Sequence, residues 1–285
     1  MSETEEAYIQ QTITMALQED LGTDGDVTSK AIFGPDEKAT ALIRSKSTGV
    51  LSGTVCIIPV FTGCDPETVI TIHTVDGTKI EPGTPICTVE GPVRALLAGE
   101  RTVLNFLQRL SGIATLSAQY AAAIAHTKCR LLDTRKTTPL LRQLEKKAVT
   151  DGGGCNHRFG LFDMILIKDT HVKRAGSVTN AVNAALAYRQ KHRHLAIEVE
   201  VQSENEFQEA LACDPDRIML DNMSPEIMHR CVEQRTIQKP SIELEASGNV
   251  TLETIAAIAE TGVDFISSGA LTHSAPSLDI HLIIQ

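Results

Sequence analysis

No tryptophan occurs in the 285 residues, and three tyrosines with seven phenylalanines are the only aromatics. Surfaces for base stacking are therefore scarce. With 26 basic against 36 acidic side chains the net charge is −10, the wrong sign for tracking a phosphate backbone, so nucleic acid is not an expected partner. Long apolar runs are missing too: the longest, residues 55–61, falls far short of the roughly 20 residues that span a bilayer, and no membrane span is expected. The N-terminal Met-Ser-Glu-Thr-Glu-Glu is acidic where a secretory signal carries positive charge and an apolar segment, which leads to the expectation of a cytoplasmic protein. The seven cysteines, at 56, 64, 87, 129, 155, 213 and 231, show no short metal-ligand spacing. Their odd count argues against a disulfide framework as well as structural zinc.

What is present is ordinary in amount and uneven in distribution. Hydrophobic residues at 42% and charged residues at 22% describe a globular protein, long enough for about two domains. Residues 1–127 carry 8 basic and 15 acidic groups, residues 128–174 carry 11 and 5, and residues 175–285 carry 7 and 16. A cationic island thus sits inside an acidic chain. Several of its cations adjoin Gly-rich or apolar strand-like sequence rather than a solvated helix face, which favours an anion site built from converging Arg and Lys.

Ile9, Ile13 and Leu17 form one apolar stripe at i, i+4, i+8 and predict a helix over 5–20. From 39 to 89, short β-branched runs alternate with turns such as Asp76-Gly77 and Glu81-Pro-Gly83, predicting a small, mostly antiparallel sheet. The Pro82-Gly83 turn resembles that of swinging-arm carrier domains, but no lysine is presented at a hairpin tip and that reading is discarded. A long helix is expected over 93–126, broken or bent near Ser111-Gly112. Beyond it, six apolar strands (130–133, 164–168, 195–201, 217–221, 242–245 and 264–268) alternate with helices, the rhythm of a parallel α/β sheet. Helix starts fall between them: Ser203 with Glu206, Ser224-Pro225, and Thr251 ahead of an apolar segment that stops at Gly262.

Barrels of this kind hold their active sites at the C-terminal strand ends. Those ends read Asp133 and Arg135, Lys168 and Asp169, Glu198 and Glu200, Asp221, Glu245 with Ser247-Gly248, and Ser267-Ser268-Gly269. The last two, Ser247-Gly248-Asn249 and Ser267-Ser268-Gly269, offer hydroxyls, backbone N–H groups and close approach suited to a phosphate. Glu200 and Asp221 could bind a divalent metal, accept hydrogen bonds from sugar hydroxyls or stabilise a cationic transition state. No histidine at fixed spacing makes them a zinc site, and Mg2+ held jointly with substrate phosphate fits them best. Arg135, Lys136, His157, Arg158 and Lys168, with Gly152-Gly-Gly154 between, would hold further negative charge. One phosphate plus several other anionic groups is the ligand these positions describe.

Eight ordered motifs carry a more specific signal. They are Glu100-Arg-Thr-Val-Leu-Asn105 with Leu110-Ser-Gly-Ile-Ala-Thr115, Asp133-Thr-Arg-Lys-Thr-Thr-Pro139, Gly152-Gly-Gly-Cys-Asn-His-Arg158, Leu166-Ile-Lys-Asp-Thr-His171, Glu198-Val-Glu200, Met219-Leu-Asp-Asn222, Leu244-Glu-Ala-Ser-Gly248 and Ile266-Ser-Ser-Gly269. Together, and with Asp24-Gly-Asp-Val-Thr28, they closely resemble the quinolinate phosphoribosyltransferases of NAD biosynthesis. The resemblance implies an α+β sandwich over 1–112, an incomplete TIM-like α/β-barrel over 113–273, and a C-terminal segment, 274–285, that packs back on the first domain. It implies that quinolinate is gripped by Arg135, Arg158 and Lys168, with Arg101 reaching in from the partner of a homodimer and His157 and Lys136 lining the quinolinate and pyrophosphate region. Glu200 and Asp221 would face the ribose hydroxyls and Mg2+ pyrophosphate of phosphoribosyl pyrophosphate, and Lys136, Glu200 and Asp221 would be the catalytic residues. Ser247, Gly248, Asn249, Ser268 and Gly269 would take the 5-phosphate. No organic cofactor is implied.

Two departures stand out. Leu140 follows Thr-Thr-Pro where the family usually has Gly, and Thr170 replaces the usual Asn after Lys-Asp. Cys155 is read as a bystander thiol, because the implied reaction needs no nucleophile. His171 is left as either a helper of the site or a residue at a helix start. The alternatives are a relative of the same fold acting on another anionic heterocycle, whose mark would be a changed cationic set, and a silent anion-binding protein, whose mark would be loss of Glu200, Asp221 or Lys136. All of these residues are present.

Overall fold

The first helix forms where the Ile9, Ile13, Leu17 stripe predicts it, and all three side chains are buried. The structure, a computed structural model, describes residues 3–285. In chain order the elements are α1 (Glu3–Leu21), α2 (Val27–Ile32), β1 (Lys38–Ser45), β2 (Gly49–Val50), α3 (Ile57–Cys64), β3 (Val69–Ile72), β4 (Lys79–Ile80), β5 (Pro85–Pro92) and α4 (Val93–Ala123). There follow β6 (Arg130–Leu132), α5 (Arg142–Asp151), β7 (Met164–Ile167), α6 (Asp169–Ala175), α7 (Val178–Arg189), β8 (Ala196–Val201), α8 (Glu204–Cys213), β9 (Arg217–Asp221), α9 (Pro225–Gln238), β10 (Glu243–Ser247), α10 (Ile255–Ala259), β11 (Phe265–Ser267), α11 (Ala270–His273) and β12 (Ile280–Ile284). The chain divides into two units: one holds residues up to Ala118 with Thr137–Gly153 and Ser274–Gln285, the other Gln119–Lys136 and Gly154–His273.

The first unit is built on an antiparallel sheet in the order β12-β1-β5-β3. Ala41 and Ile43 of β1 alternate inward and face Val89 and Cys87 of β5 across the ladder, while the other edge of β1 pairs with β12, so the C-terminal strand is part of this sheet. The apolar run 55–61, expected among strands and turns, instead makes a 3-10 turn and α3; Ile57, Val60 and Phe61 lie on one buried helical face, a period that a short apolar run does not reveal. The expected break in α4 is also corrected. The helix runs unbroken through Ser111-Gly112, and the pair is used for packing instead: Ser111 Oγ accepts the Ser52 amide at 3.0 Å, and a Cβ on residue 112 would stand 2.0 Å from the Pro276 carbonyl oxygen. Polar groups hold the 137–153 segment within this unit. Lys147 of α5 binds Asp76 at 2.8 Å and Asp151 at 2.7 Å, and the fully buried Glu145 accepts from Arg109 and from the Thr138 amide and hydroxyl.

The second unit is a six-stranded parallel sheet in the order β6-β11-β10-β9-β8-β7. Its two edges, β6 and β7, are neighbours in sequence, as in a barrel left open at one seam. Ile197, Val199 and Val201 of β8, Ile218 and Leu220 of β9, and Leu244 and Ala246 of β10 are all buried and share one face. Because side chains alternate along a strand, the other face carries Glu198 and Glu200, then Arg217, Met219 and Asp221, then Glu243, Glu245 and Ser247. The register stacks these into layers: Glu198, Arg217 and Glu243 lie abreast, then Glu200, Met219 and Glu245, then Asp221 and Ser247. An apolar barrel interior has been replaced by a polar one. Strand ends differ by a residue or two from expectation, most usefully at β10, which extends through Ser247. Ser203, Ser224 and Asp26 each accept the N-cap bonds of α8, α9 and α2, and Pro225 occupies the first turn of α9. The segment after Thr251 begins with a turn closed by Thr254, and only Ile255–Ala259 is helical before Gly262.

Candidate active site

A cavity of about 500 Å³ opens at the C-terminal ends of the six parallel strands. Its wall takes Arg135 and Lys136 from the loop after β6, Lys168 from the end of β7, Glu200 from β8, Asp221 from β9, and Ser247, Gly248 and Asn249 from β10 and the turn beyond it. His157 and Arg158 enter from the segment that bridges onto β6 through Cys155. Ten of the expected site residues therefore meet in one place. Three do not line it. Arg101 is exposed on α4 in the first unit, where it borders a separate, mostly apolar groove with Tyr8, Met15 and Phe106. Ser268 is buried, its hydroxyl turned to the Val250 carbonyl and its amide to that of Leu132, while Ser267 takes the place on the cavity wall. Gly269 sits behind Lys136, where a Cβ would meet the lysine Cδ at 2.8 Å.

The cations crowd one another. Burial and the neighbouring charge of Arg135 both lower the Arg158 guanidinium from its ordinary basicity, a site strained by like charge until an anion arrives. Arg158 Nη1 also donates to the Met164 carbonyl at 3.1 Å, which leaves the rest of its fork toward the cavity wall it lines. Opposite, Lys168 Nζ lies 3.4 Å from Glu200 Oε2. Burial raises the Glu200 carboxyl above its usual range, Lys168 pulls it back and Asp221 pushes it up again. Asp221 receives two donors on Oδ2, Asn222 Nδ2 at 2.9 Å and Gln202 Nε2 at 3.3 Å. Asn249 Nδ2 in turn donates to Asn222 Oδ1 at 3.0 Å. Both asparagines are left-handed, with φ of 55° and 50°, and Gly248 between strand and turn has φ 97°. A side chain on residue 248 would collide with Asn222, so the turn is closed down on the amide that orients Asp221.

At the base of the cavity, with His157 and Glu245 on its lining, is a group the sequence pattern did not single out as a unit. Glu198 and Glu245 have side chains with 0% exposure, and His157 Nε2 stands 3.0 Å from Glu198 Oε2 and 3.4 Å from Glu245 Oε2. Arg217 completes it, bridging Glu245 at 3.1 Å and Glu243 at 2.8 Å, with its guanidinium 3.9 Å over the Phe265 ring. Burial works against charge on His157, while hydrogen bonding and negative charge from Glu198 and Glu245 act the other way and raise the ring from its ordinary value. A second contact limits that pull: the Arg158 amide donates to His157 Nδ1 at 2.7 Å, and an N–H aimed at Nδ1 leaves no room for a proton there. A neutral ring in this contact carries its proton on Nε2. Burial, then the charge of Glu245, raises the Glu198 carboxyl above its ordinary range.

These three residues lie close enough to share a metal ion, all ligand atoms falling within 4.8 Å. With Nδ1 taken up by the Arg158 amide, an ion at Nε2 would have to compete with the ring's one proton. Glu200 and Asp221 are the donor set that fits a hard cation, two carboxylates on adjoining strands at the cavity wall. His171 lies in the first turn of α6, where its Nδ1 accepts the Lys168 amide at 2.9 Å, a contact that both caps the helix and holds the backbone of Lys168. Cys155 is a free thiol whose backbone, through Leu131 and Asp133, ties the His157 segment to β6. Glu198, Arg217 and Asn222 were the residues missed in role. The i, i+2 spacing of acids in β8 and β10 was the available signal for the first two.

An open parallel barrel with cations, carboxylates and a hydroxyl-rich turn at its strand ends defines an enzyme site for polyanionic small molecules. Comparison with known proteins names the family. Residues 26–111 match the quinolinate phosphoribosyl transferase N-terminal domain and residues 113–283 its C-terminal domain. The chain belongs to the quinolinate phosphoribosyltransferase family. It is 44% identical over 265 residues to a Bacillus subtilis protein named "probable nicotinate-nucleotide pyrophosphorylase [carboxylating]", covering 93% of this chain and 89% of that one. It is 42% identical over 286 residues to the Nicotiana tabacum protein named quinolinate phosphoribosyltransferase [decarboxylating] 1b, covering 96% of this chain and 81% of that one. The solved structure of the nicotinate-nucleotide pyrophosphorylase from Francisella tularensis superposes with a TM-score of 0.91 at 38% identity, over 98% of this chain and 97% of that one.

Proposed function

We propose that this chain transfers the phosphoribosyl group of 5-phosphoribosyl 1-pyrophosphate to quinolinate and releases CO2, giving nicotinate mononucleotide and pyrophosphate for NAD biosynthesis. The observation that carries the reading is the single cavity in which Arg135, Lys136, Arg158 and Lys168 face Glu200 and Asp221. Two polyanions must be held together, and only a wall with that many converging cations can repay their desolvation. Arg135, Arg158 and Lys168 would grip the two carboxylates of quinolinate, and Lys136 the pyrophosphate. Ser247, Gly248 and Asn249 would take the 5-phosphate, with Ser268 and Gly269 supporting the loop from behind.

The pyridine nitrogen attacks C1 of the ribose and the C1–oxygen bond to pyrophosphate breaks, with positive charge building on the ribose ring. Glu200 and Asp221 stabilise that charge, and their attraction grows as it develops. The nitrogen then bears formal positive charge next to the 2-carboxylate. As CO2 departs, the bonding pair remains at C2 beside the cationic nitrogen, and C2 takes a proton from water. Glu200 and Asp221 would hold Mg2+, which when bound neutralises pyrophosphate charge. The chain's own contribution is mainly orientation, through rigid strand ends and capped turns.

The reading includes a cytoplasmic homodimer in which Arg101 completes the partner's site. Free thiols at all seven cysteines suit a reducing compartment, and no described helix is long and apolar enough to cross a membrane. An exposed arginine that borders an apolar groove and does not line the cavity suits a group that serves another copy. The test is product formation from quinolinate, phosphoribosyl pyrophosphate and Mg2+, following labelled CO2 and nicotinate mononucleotide together with nicotinate as competitor. Both products from quinolinate alone are expected. Turnover only with nicotinate would reassign the substrate, and binding without turnover would make the chain a silent anion-binding protein.

A further inference from the structure

The Glu198, His157, Glu245 and Arg217 cluster is not explained by substrate contact. His157 uses both ring nitrogens inside the protein, Nδ1 for the Arg158 amide and Nε2 toward the two carboxylates, and its side chain is 6% exposed. It therefore has no ring donor left for a ligand. Two carboxylates with no exposure are costly to bury under any site, and more so here, where the contact is one of distance and charge: His157 Nε2, both oxygens of Glu198 and Oε1 of Glu245 meet no hydrogen-bond partner at good angles. Such a cost persists where the group does something that an apolar residue could not.

We infer that Glu198 and Glu245 are positioning residues of the anion site, which fix His157 as the Nε2–H tautomer so that its Nδ1 accepts the Arg158 amide and sets that arginine against the cavity. The chain of contacts is continuous. Phe265 and Glu243 seat Arg217, Arg217 seats Glu245, and Glu245 with Glu198 faces Nε2. Asp133 Oδ1, itself buried, accepts the His157 amide at 2.8 Å and fixes the backbone from the other side. Were the ring to flip or take the other tautomer, an N–H at Nδ1 would oppose the Arg158 N–H and push residue 158 from its place. An acceptor at Nε2 is thus what the geometry requires, and two acids supply it from β8 and β10. The assignment of Arg158 to quinolinate rests on the function proposed above; the tautomer does not.

Two measurements test this. In the intact protein labelled with nitrogen-15 histidine, two-bond correlation spectra assigned by His157→Asn should show His157 as the neutral Nε2–H form at neutral pH; an Nδ1–H form or an imidazolium there overturns the inference whatever the substrate is. Calorimetric binding then separates positioning from general damage. Glu245→Ala should weaken quinolinate by about tenfold or more, in the range seen when groups that orient a ligand-binding residue are removed, while phosphoribosyl pyrophosphate affinity stays within about twofold. Glu245→Gln, which keeps an acceptor oxygen, should recover most of the loss. Equal weakening of both ligands with a lowered Tm, or unchanged quinolinate binding, overturns the inference. If Glu245→Ala does not fold, the spectrum of the wild type and the affinity of Glu245→Gln decide. Failure of the wild type to bind quinolinate counts against the proposed function and leaves the tautomer result standing.

Discussion

Leu140 shows how a single residue can report strain that its neighbours conceal. Its φ is 63°, its side chain is largely in solvent, and its carbonyl accepts the Tyr8 hydroxyl at 2.7 Å. The left-handed conformation costs an L residue about 1–2 kcal/mol, and little burial offsets it here. Leu140→Gly should therefore stabilise the protein by about 0.5–1 kcal/mol after the extra freedom of glycine in the unfolded chain is subtracted, read as a higher denaturant midpoint. Asn222 is the opposite case, a left-handed residue whose side chain is occupied. Asn222→Ala and Asn222→Gly both remove the donor to Asp221 Oδ2, and both should raise the KM for phosphoribosyl pyrophosphate by about tenfold. Only the alanine variant should also lose about 1 kcal/mol of stability, because glycine tolerates φ 55° and alanine does not. Equal stability of the two would show that the turn carries no backbone strain.

Among the elements, α2 offers the clearest link between a cap and pH. Asp26 accepts the Thr28 and Ser29 amides at 3.0 Å each. The Ser29 hydroxyl, then the Ser29 amide, hold its carboxyl below the ordinary aspartate value. A folded-state value below the unfolded one means the contribution is full above the unfolded value and is lost as pH falls through the folded one. Asp26→Ala should cost about 1 kcal/mol at neutral pH, and the gap to the wild type should close on acidification below about pH 4. Asp26→Asn, a comparable cap without a titrating group, should show no such closing in parallel urea titrations.

Strand and helix reading from sequence worked where the period was long and one face was buried, as in α1 and in β8 with its alternating acids. It failed at α3 and at the expected break in α4. In both, the deciding contact comes from far along the chain: Pro276 fills the space that Gly112 leaves, and only a packed partner tells a buried helix from a buried strand in a seven-residue apolar run.

At the scale of the whole molecule, charge is sorted by depth and by unit. Four cations of the island, Arg135, Lys136, Arg158 and Lys168, line one cavity of the second unit, while Arg142, Lys146 and Lys147 belong to the first. Arg101 is not among the residues that line the cavity. If it completes a neighbour's site, Arg101→Ala and Arg158→Ala chains, each nearly inactive alone, should regain activity when unfolded together and refolded, because a mixed dimer retains one site with both arginines. An equal mixture of the two forms half mixed dimers, each with one intact site, so about a quarter of wild-type activity is expected in a statistical mixture. No recovery under verified exchange would assign Arg101 to its own chain or to no site.

The sequence by itself determined much of the inventory: which six parallel strands exist, that acids at i, i+2 share a face, that cations follow the strand ends, and which family the ordered motifs resemble. These are local properties, set by backbone chirality and the two-residue period of a strand. Depth was not among them. Glu198 and Glu200 are equivalent in pattern, yet one has no exposure and the other reaches the cavity wall, because strand register and the neighbours Arg217 and Met219 fix how far along the barrel each lies. Only that tertiary pairing decided which acids face a ligand, which serve a histidine, and that Ser267 rather than Ser268 reaches the cavity.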